Sequence, residues 1–354
     1  MSNLVTTYQH IADILSFETS NHQLSKVLSQ PSFDWDTIVS EGSRHLVLPT
    51  IYCRLKAKQL LNVLPEELNN YLEEITSINR NRNKAILKQI NFISKILNEN
   101  NINYVFLKGS TLIANDYYED IAERMIGDID ILVAIDQLSD AYNLLKNNHY
   151  QAKEKTLGNK FFEHKHLPRL TSKEHICAVE LHSRLFVSYK AKELKPENVL
   201  NEKINESNIF TPSPKHLLIH NILNFQINDR GALFNSISFR SSYDTIILLR
   251  KYTISEKIRN EKILKSYFKY SSLFFNDIRR VTKVKSNLLT SFYLFKLNHI
   301  KFYKIWNNLL LTYNLIPLLT KRLFYFVYNK SYRKEVIKDK KRIFTYIRSI
   351  FNNI

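Results

Sequence analysis

Asp128 and Asp130 stand one residue apart in the run Asp128-Ile129-Asp130-Ile131-Leu132-Val133. Acidic and apolar residues alternate there as a half-buried strand requires. Successive strand side chains point to opposite faces, so both carboxylates project from one side and Ile129, Ile131 and Val133 from the other. Two carboxylates fixed close together repel, and a divalent cation relieves the repulsion. Magnesium prefers oxygen ligands and keeps sites open for water and substrate phosphates. A later run, Ile176-Cys177-Ala178-Val179-Glu180-Leu181-His182, puts Glu180 and His182 on one face and Cys177, Val179 and Leu181 on an apolar one. If that strand lies beside the first, Glu180 completes a cluster of three carboxylates. Two ions about 3.5–4 Å apart could then clamp the attacking and leaving oxygens of an in-line displacement. His182 would orient a metal-bound water or contact nucleotide; a structural, hydrogen-bonding histidine is the equal alternative.

A phosphate site is expected at Gly109-Ser110. Glycine lets backbone approach closely. Ser110 opens a helix whose first N–H groups and dipole attract an anion. Lys108 is placed to reach a phosphate oxygen, and Arg124 to neutralise charge near the acid pair. Asp-x-Asp alone more often sits in a solvated loop, and Gly-Ser is an ordinary helix start. The order carries the reading: apolar strand, Gly-Ser, helix, Asp-x-Asp strand, then an acid on a later strand.

The elements that position these residues follow from periodicity. Residues 1–99 read as helical. The stretch 61–98 has no glycine and only Pro65, and Ala85, Ile86, Ile90, Ile93, Ile96 and Leu97 recur at helical spacing, predicting one buried stripe. Tyr104-Val105-Phe106-Leu107 reads as a strand, 111–120 and 137–148 as helices, and 176–181 as a further strand. From Pro214 onward helix dominates again, most clearly over 216–225 and 243–251. The division expected is a helical region 1–99, a mixed core 100–187 and a helical region 188–354. His45, His216 and His220 read as helix residues, Asp244 as structural, and His164, His166 and His175 as a loop cluster without a zinc-like cysteine spacing.

The chain has 354 residues and a net charge of +18. Residues 251–354 hold 23 Lys+Arg against 5 Asp+Glu, so the whole excess lies at that end. An anionic partner or a soluble basic helical region would each account for it. Lys283, Lys285, Lys296, Lys301 and Lys304 interleave with Phe292, Tyr293, Phe295 and Tyr303, a pattern that can hold nucleic acid by phosphate attraction and stacking. The uncharged stretch 305–320, followed by Lys321 and Arg322, is short for a membrane span. A helical core stripe is the preferred reading, with peripheral contact to an anionic membrane surface as the alternative. Cys53 and Cys177 make no disulfide framework and no leader is evident, so the expected compartment is the cytoplasm.

Phe106-Leu107-Lys108-Gly109-Ser110, followed by Arg124-Met125-Ile126-Gly127-Asp128-Ile129-Asp130-Ile131-Leu132-Val133, resembles the uncharacterised bacterial nucleotidyltransferases of the polymerase β superfamily. Val179-Glu180-Leu181-His182 is similar to the third motif of that family. Phe33-Asp34-Trp35-Asp36, Arg44-His45, Leu48-Pro49 and Tyr243-Asp244 extend the likeness over about residues 30–250. The interval from Ser110 to Asp128 is longer than in the smallest superfamily members and leaves room for a loop carrying Arg124.

The resemblance implies an α+β fold, a polymerase β-type core of mixed sheet and flanking helices set between helical regions. It implies transfer of a nucleoside monophosphate from an NTP such as ATP, with release of pyrophosphate. Asp128, Asp130 and Glu180 would bind the metal, two Mg²⁺ ions with Mn²⁺ as the substitute, and Glu180 would activate the acceptor hydroxyl. Lys108, Gly109, Ser110, Arg124 and His182 would bind nucleotide. The acceptor stays open among a metabolite or sugar phosphate, an RNA end and a protein side chain. The other class is a nucleotidyltransferase-like module without turnover that binds nucleotide, nucleic acid or a partner.

Overall fold

The computed structural model describes residues 3–153, 161–162, 166–187, 194–282, 287–341, 343–345 and 348. His164, Lys283 and Lys285 lie outside the described residues.

The N-terminal part is helical: α1 (Leu4–Leu15), α2 (Asn21–Leu28), α3 (Trp35–Arg44), α4 (Leu48–Ala57) and the long α5 (Glu66–Glu99). Pro65 caps α5, and Glu66 and Glu67 in its first turn suit the positive end of the helix dipole. Its expected apolar stripe is buried, with Ile86, Ile90, Ile93 and Leu97 all fully covered.

The sheet follows. Strand β1 (Tyr104–Leu107) runs into helix α6 (Lys108–Ala114), a short 3₁₀ turn (Ile121–Glu123) leads to β2 (Asp128–Val133), and α7 (Leu138–Asn147) packs behind. Then come β3 (Gln151–Ala152), β4 (Leu170–Thr171) and β5 (Ala178–His182). The five-stranded order is β1-β2-β5-β4-β3. Strand β2 pairs antiparallel with β1 and parallel with β5, so the sheet is mixed and β2 lies inside it. Ile129, Ile131, Val179 and Leu181 are buried on the apolar side, as alternation predicts.

The segment between α6 and β2 has no ladder of its own, so its carbonyls need other donors. Helix α5 supplies them. Asn79 Nδ2 donates to Ala122 O at 2.7 Å, and Asn83 Nδ2 to Ile121 O at 2.6 Å and Arg124 O at 2.7 Å. Arg82 donates to Ile126 O.

Beyond the sheet lie α8 (Pro196–Asn201), the hairpin β6 (Ile204–Glu206) and β7 (Ile209–Thr211), α9 (Pro214–Leu223), α10 (Gly231–Phe234) and α11 (Phe239–Lys251). Asn221 ties α9 to α11 by donating to Ser241 O and Thr245 Oγ1, both at 2.9 Å. Helix α11 also closes over the 3₁₀ turn, where Tyr243 donates its hydroxyl to the Glu123 carboxylate.

Burial raises the Glu123 carboxyl to about 7, against hydrogen bonds from Tyr243 and the Asp120 backbone that favour its charge. Its folded value lies above the ordinary 4.5. The fold therefore holds a proton that the unfolded chain has released, and this contribution is full below pH 4.5 and lost as pH rises to 7. We expect Glu123→Gln to unfold at higher urea than wild type at pH 8, by about 1–3 kcal/mol, and to show no such gain at pH 4.5. An equal effect at both pH values would contradict this.

The chain continues through α12 (Glu256–Arg259), α13 (Lys262–Ser271), α14 (Asn276–Thr282), α15 (Leu288–Asn298), α16 (Ile300–Tyr328) and α17 (Lys330–Lys338). Two expectations for this end are corrected. The stretch 305–320 is helical but is no core stripe, because none of the residues of α16 is buried. Lys296 is not a surface contact for nucleic acid: it is fully buried and donates Nζ to Phe234 O at 2.8 Å. Burial pushes its ammonium down to about 8. Its neighbour Tyr293 is buried too, whereas Lys301 and Lys304 are exposed.

Candidate active site

The parallel register of β2 and β5 sets Asp130 opposite Glu180 and Asp128 opposite Ala178. Residues level with each other in neighbouring strands present side chains to the same face. Asp128, Asp130, Glu180 and His182 therefore share one face, and the apolar residues between them hold it in place from behind.

Leu107, the end of β1, pairs with Asp130. Lys108 follows at φ +57°, in the left-handed region that a side chain seldom adopts. Strain of this kind persists where the surroundings over-determine a residue, often at functional sites. Here Lys108 Nζ lies 2.7 Å from Asp130 Oδ1. His182 Nε2 lies 2.9 Å from the same oxygen, with both side chains buried. Burial alone would raise the Asp130 carboxyl, but the His182 hydrogen bond and the Lys108 charge hold it well below the usual range. Against an ionised carboxylate, Nε2 of His182 carries the proton and donates.

Asp128 behaves oppositely. Burial and the charges of Asp130 and Glu180 raise its carboxyl, more than Lys108 and Arg169 lower it. The guanidinium of Arg169, just before β4, bridges the cluster: NH2 lies 2.5 Å from Asp128 Oδ2 and Nε 3.1 Å from Glu180 Oε1. His166 Nε2 stands 3.7 Å from Glu180 Oε2. Neither Arg169 nor the role of His166 is visible in the sequence, because β4 is two residues long and carries no periodic signal.

The donor set fits a divalent cation. Ligand atoms of Asp130, Glu180 and His182 lie within 4.8 Å of one another. Asp128 stands outside that group, its carboxylate drawn to Arg169, although its backbone places it on the same face. Carboxylate oxygens suit magnesium and manganese, and an imidazole is compatible with manganese. Lys108 and Arg169 already bring positive charge to these oxygens, which marks the cluster as one that needs compensation.

Beside the acids lies a cleft of about 150 Å³. Lys108, Gly109, Asp128 and Asp130 line one side, with Arg240 and Asp244 of α11 among the residues of the other. A Cβ at Gly109 would meet Ile126 Cγ1 at 3.2 Å and Arg124 Cζ at 3.6 Å, so glycine admits these side chains next to the backbone. Helix α6 begins at Lys108, earlier than expected. Ser110 is buried, and its hydroxyl donates to Leu107 O at 2.6 Å, so it braces the turn rather than facing the cleft.

Arg124 reaches the cleft but is already paired. Its Nε lies 3.0 Å from Asp244 Oδ2, and Tyr118 donates its hydroxyl to Asp244 Oδ1 at 2.7 Å. Burial disfavours the guanidinium charge, and Asp244 and Tyr118 together more than restore it. Asp244 is thus structural, as expected, and also part of the cleft wall. Arg240 differs. Among the described residues it makes no ion pair or hydrogen bond. Burial and the like charge of Arg124 lower its pKa, while Asp244 and Asp229 act on it from beyond ion-pair distance. A partly buried cation facing a cleft with no carboxylate at ion-pair distance suits an anionic ligand.

The family described as uncharacterised nucleotidyltransferase matches residues 31–267, about two thirds of the chain, a span that includes every side chain of this cluster. No curated protein matches the chain. Among the described residues, no helix is long and apolar enough to cross a membrane.

Proposed function

The chain belongs to the uncharacterised nucleotidyltransferase family, and from that premise we propose that it moves a nucleoside monophosphate from an NTP to a hydroxyl or phosphate acceptor on a polymerase β-type core. The observation that carries the reading is the convergence of Asp128, Asp130 and Glu180 from two parallel strands beside the cleft of Lys108 and Gly109.

Asp130, Glu180 and Asp128 would hold Mg²⁺ or Mn²⁺, with His182 as a fourth donor or as the group that orients Asp130. A bound divalent ion supplies neutralisation of triphosphate charge and polarisation of phosphoryl oxygens. The chain's own groups do the rest. Arg240 and Arg124 face the phosphates from α11 and the segment before β2. Lys108 stands beside the acids, placed to pass from Asp130 to a phosphate oxygen. Glu180 accepts the proton of the acceptor hydroxyl. The acceptor oxygen bonds to the α-phosphorus as the bridging oxygen to the β-phosphorus leaves with pyrophosphate. Positioning and charge neutralisation account for most of the rate.

Purified protein with Mg²⁺, each labelled NTP and cell extract as acceptor source should release pyrophosphate and label a product. Arg240→Ala should raise KM for the NTP about tenfold with little change in kcat, because a phosphate contact made equally in ground and transition states is lost. Nucleotide binding without pyrophosphate release under any of these conditions would replace the enzyme by a binding module. No binding of any NTP would sink the transfer reaction and leave only a module for nucleic acid or a partner.

A further inference from the structure

Helix α16 (Ile300–Tyr328) presents a stripe of apolar side chains to solvent. Leu309, Tyr313, Ile316, Leu323 and Val327 recur at steps of three, four and seven, which keeps them on one face. Each is between 51% and 72% exposed. Their stripe is about 27 Å long at the helical rise. On the far side of the helix the Tyr325 ring packs 5.4 Å from that of Phe162, centroid to centroid. A helix with an apolar outer face has something else to cover it, and a contiguous exposed patch of this kind marks an interaction surface.

Charge decides what the cover is. No aspartate or glutamate occurs anywhere in residues 278–334, whereas exposed lysines lie before, along and after the stripe at Lys301, Lys304, Lys321, Lys330 and Lys334. A second copy laid on the stripe would bring two strongly basic surfaces together. An anionic bilayer instead offers phosphates to the lysines and an acyl boundary to the apolar face. The helix is not apolar enough to cross a membrane, which fits lying on one. The stripe also lies beyond the residues matched by the family, so it is additional to the nucleotidyltransferase region.

We propose that α16 docks this protein on an anionic phospholipid surface, lying in the interface plane with Leu309, Tyr313, Ile316, Leu323 and Val327 towards the acyl chains. The lysines bind headgroup phosphates. The docking does not depend on the transfer reaction.

The test is sedimentation of the full chain with vesicles of phosphatidylcholine alone or mixed with phosphatidylglycerol. The full chain should pellet with the mixed vesicles at least about tenfold more tightly than with phosphatidylcholine, and added salt should weaken it. Ile316→Glu with Leu323→Glu should lose this binding by about tenfold or more while its circular dichroism stays that of wild type. Tyr313→Trp should shift its emission to the blue on mixed vesicles only. Absence of pelleting at low salt would overturn the proposal, as would unchanged binding by the doubly substituted chain. A dimer in sedimentation velocity that the same substitutions dissociate would give the stripe to a second copy and also overturn it.

Discussion

Asp130→Asn should lower nucleotidyl transfer by about a thousandfold and leave the chain folded. The substitution keeps the shape of the side chain and removes one negative charge from a face where three carboxylates meet. Asp130 is the acid that the fold works hardest to keep ionised, through His182 at 2.9 Å and Lys108 at 2.7 Å on one oxygen. The amide can still accept a hydrogen bond from either neighbour, so packing survives, but the charge that would hold a divalent ion does not. Pyrophosphate release and the circular dichroism spectrum, measured on the same preparation, separate the two effects. Full activity in Asp130→Asn would remove the assignment of this cluster as catalytic. A stability cost follows as well. A carboxyl held below its unfolded value contributes stability that is complete above the unfolded value and lost as pH falls through the folded one. The deficit of Asp130→Asn should therefore be visible in urea at pH 7 and shrink in strong acid.

Asp244→Leu should destabilise the protein by about 3–5 kcal/mol, since removal of one partner strands a buried charge. Asp244 is almost fully covered, and it serves Arg124 with one oxygen and Tyr118 with the other. Arg124→Met together with Asp244→Leu removes both charges, and most of the loss should return, because a buried ion pair replaced by apolar groups of similar volume is often neutral. Urea unfolding of the single and double variants makes the comparison. Equal losses in both would show that packing around Tyr118, rather than the stranded charge, sets the cost.

Much of this centre is legible in the chain before any coordinates. Alternation alone places β2 at 128–133 and sets the two aspartates on one face, and the later run delivers Glu180 level with Asp130. The α5 stripe is equally plain, because a long helix offers many turns over which a period can be counted. Residues that act from irregular backbone escape this kind of reading. Arg169 precedes a two-residue strand, and its link to Asp128 and Glu180 exists only because β4 folds against β5. Arg240 enters the cleft from the first turn of α11, more than a hundred residues from Asp128, and no local pattern marks it. Lys296 shows the reverse failure. A lysine among aromatics suggests contact with phosphate, yet in the fold it is turned inward to a backbone carbonyl. Sequence reports residue type and local period, whereas burial is decided by what packs above.

The donors that α5 extends to the segment before β2 make accuracy in the cleft a property inherited from elsewhere. Asn79, Arg82 and Asn83 grip carbonyls of Ala122, Ile126 and Arg124, only a few residues upstream of Asp128. That helix gives no side chain to the chemistry, yet the heading of the acid pair is transmitted through it like a workpiece in a jig. Drift at these positions would blunt the proposed transfer without touching a single residue of the acid cluster, so a search for changes that abolish it should reach well outside the pocket.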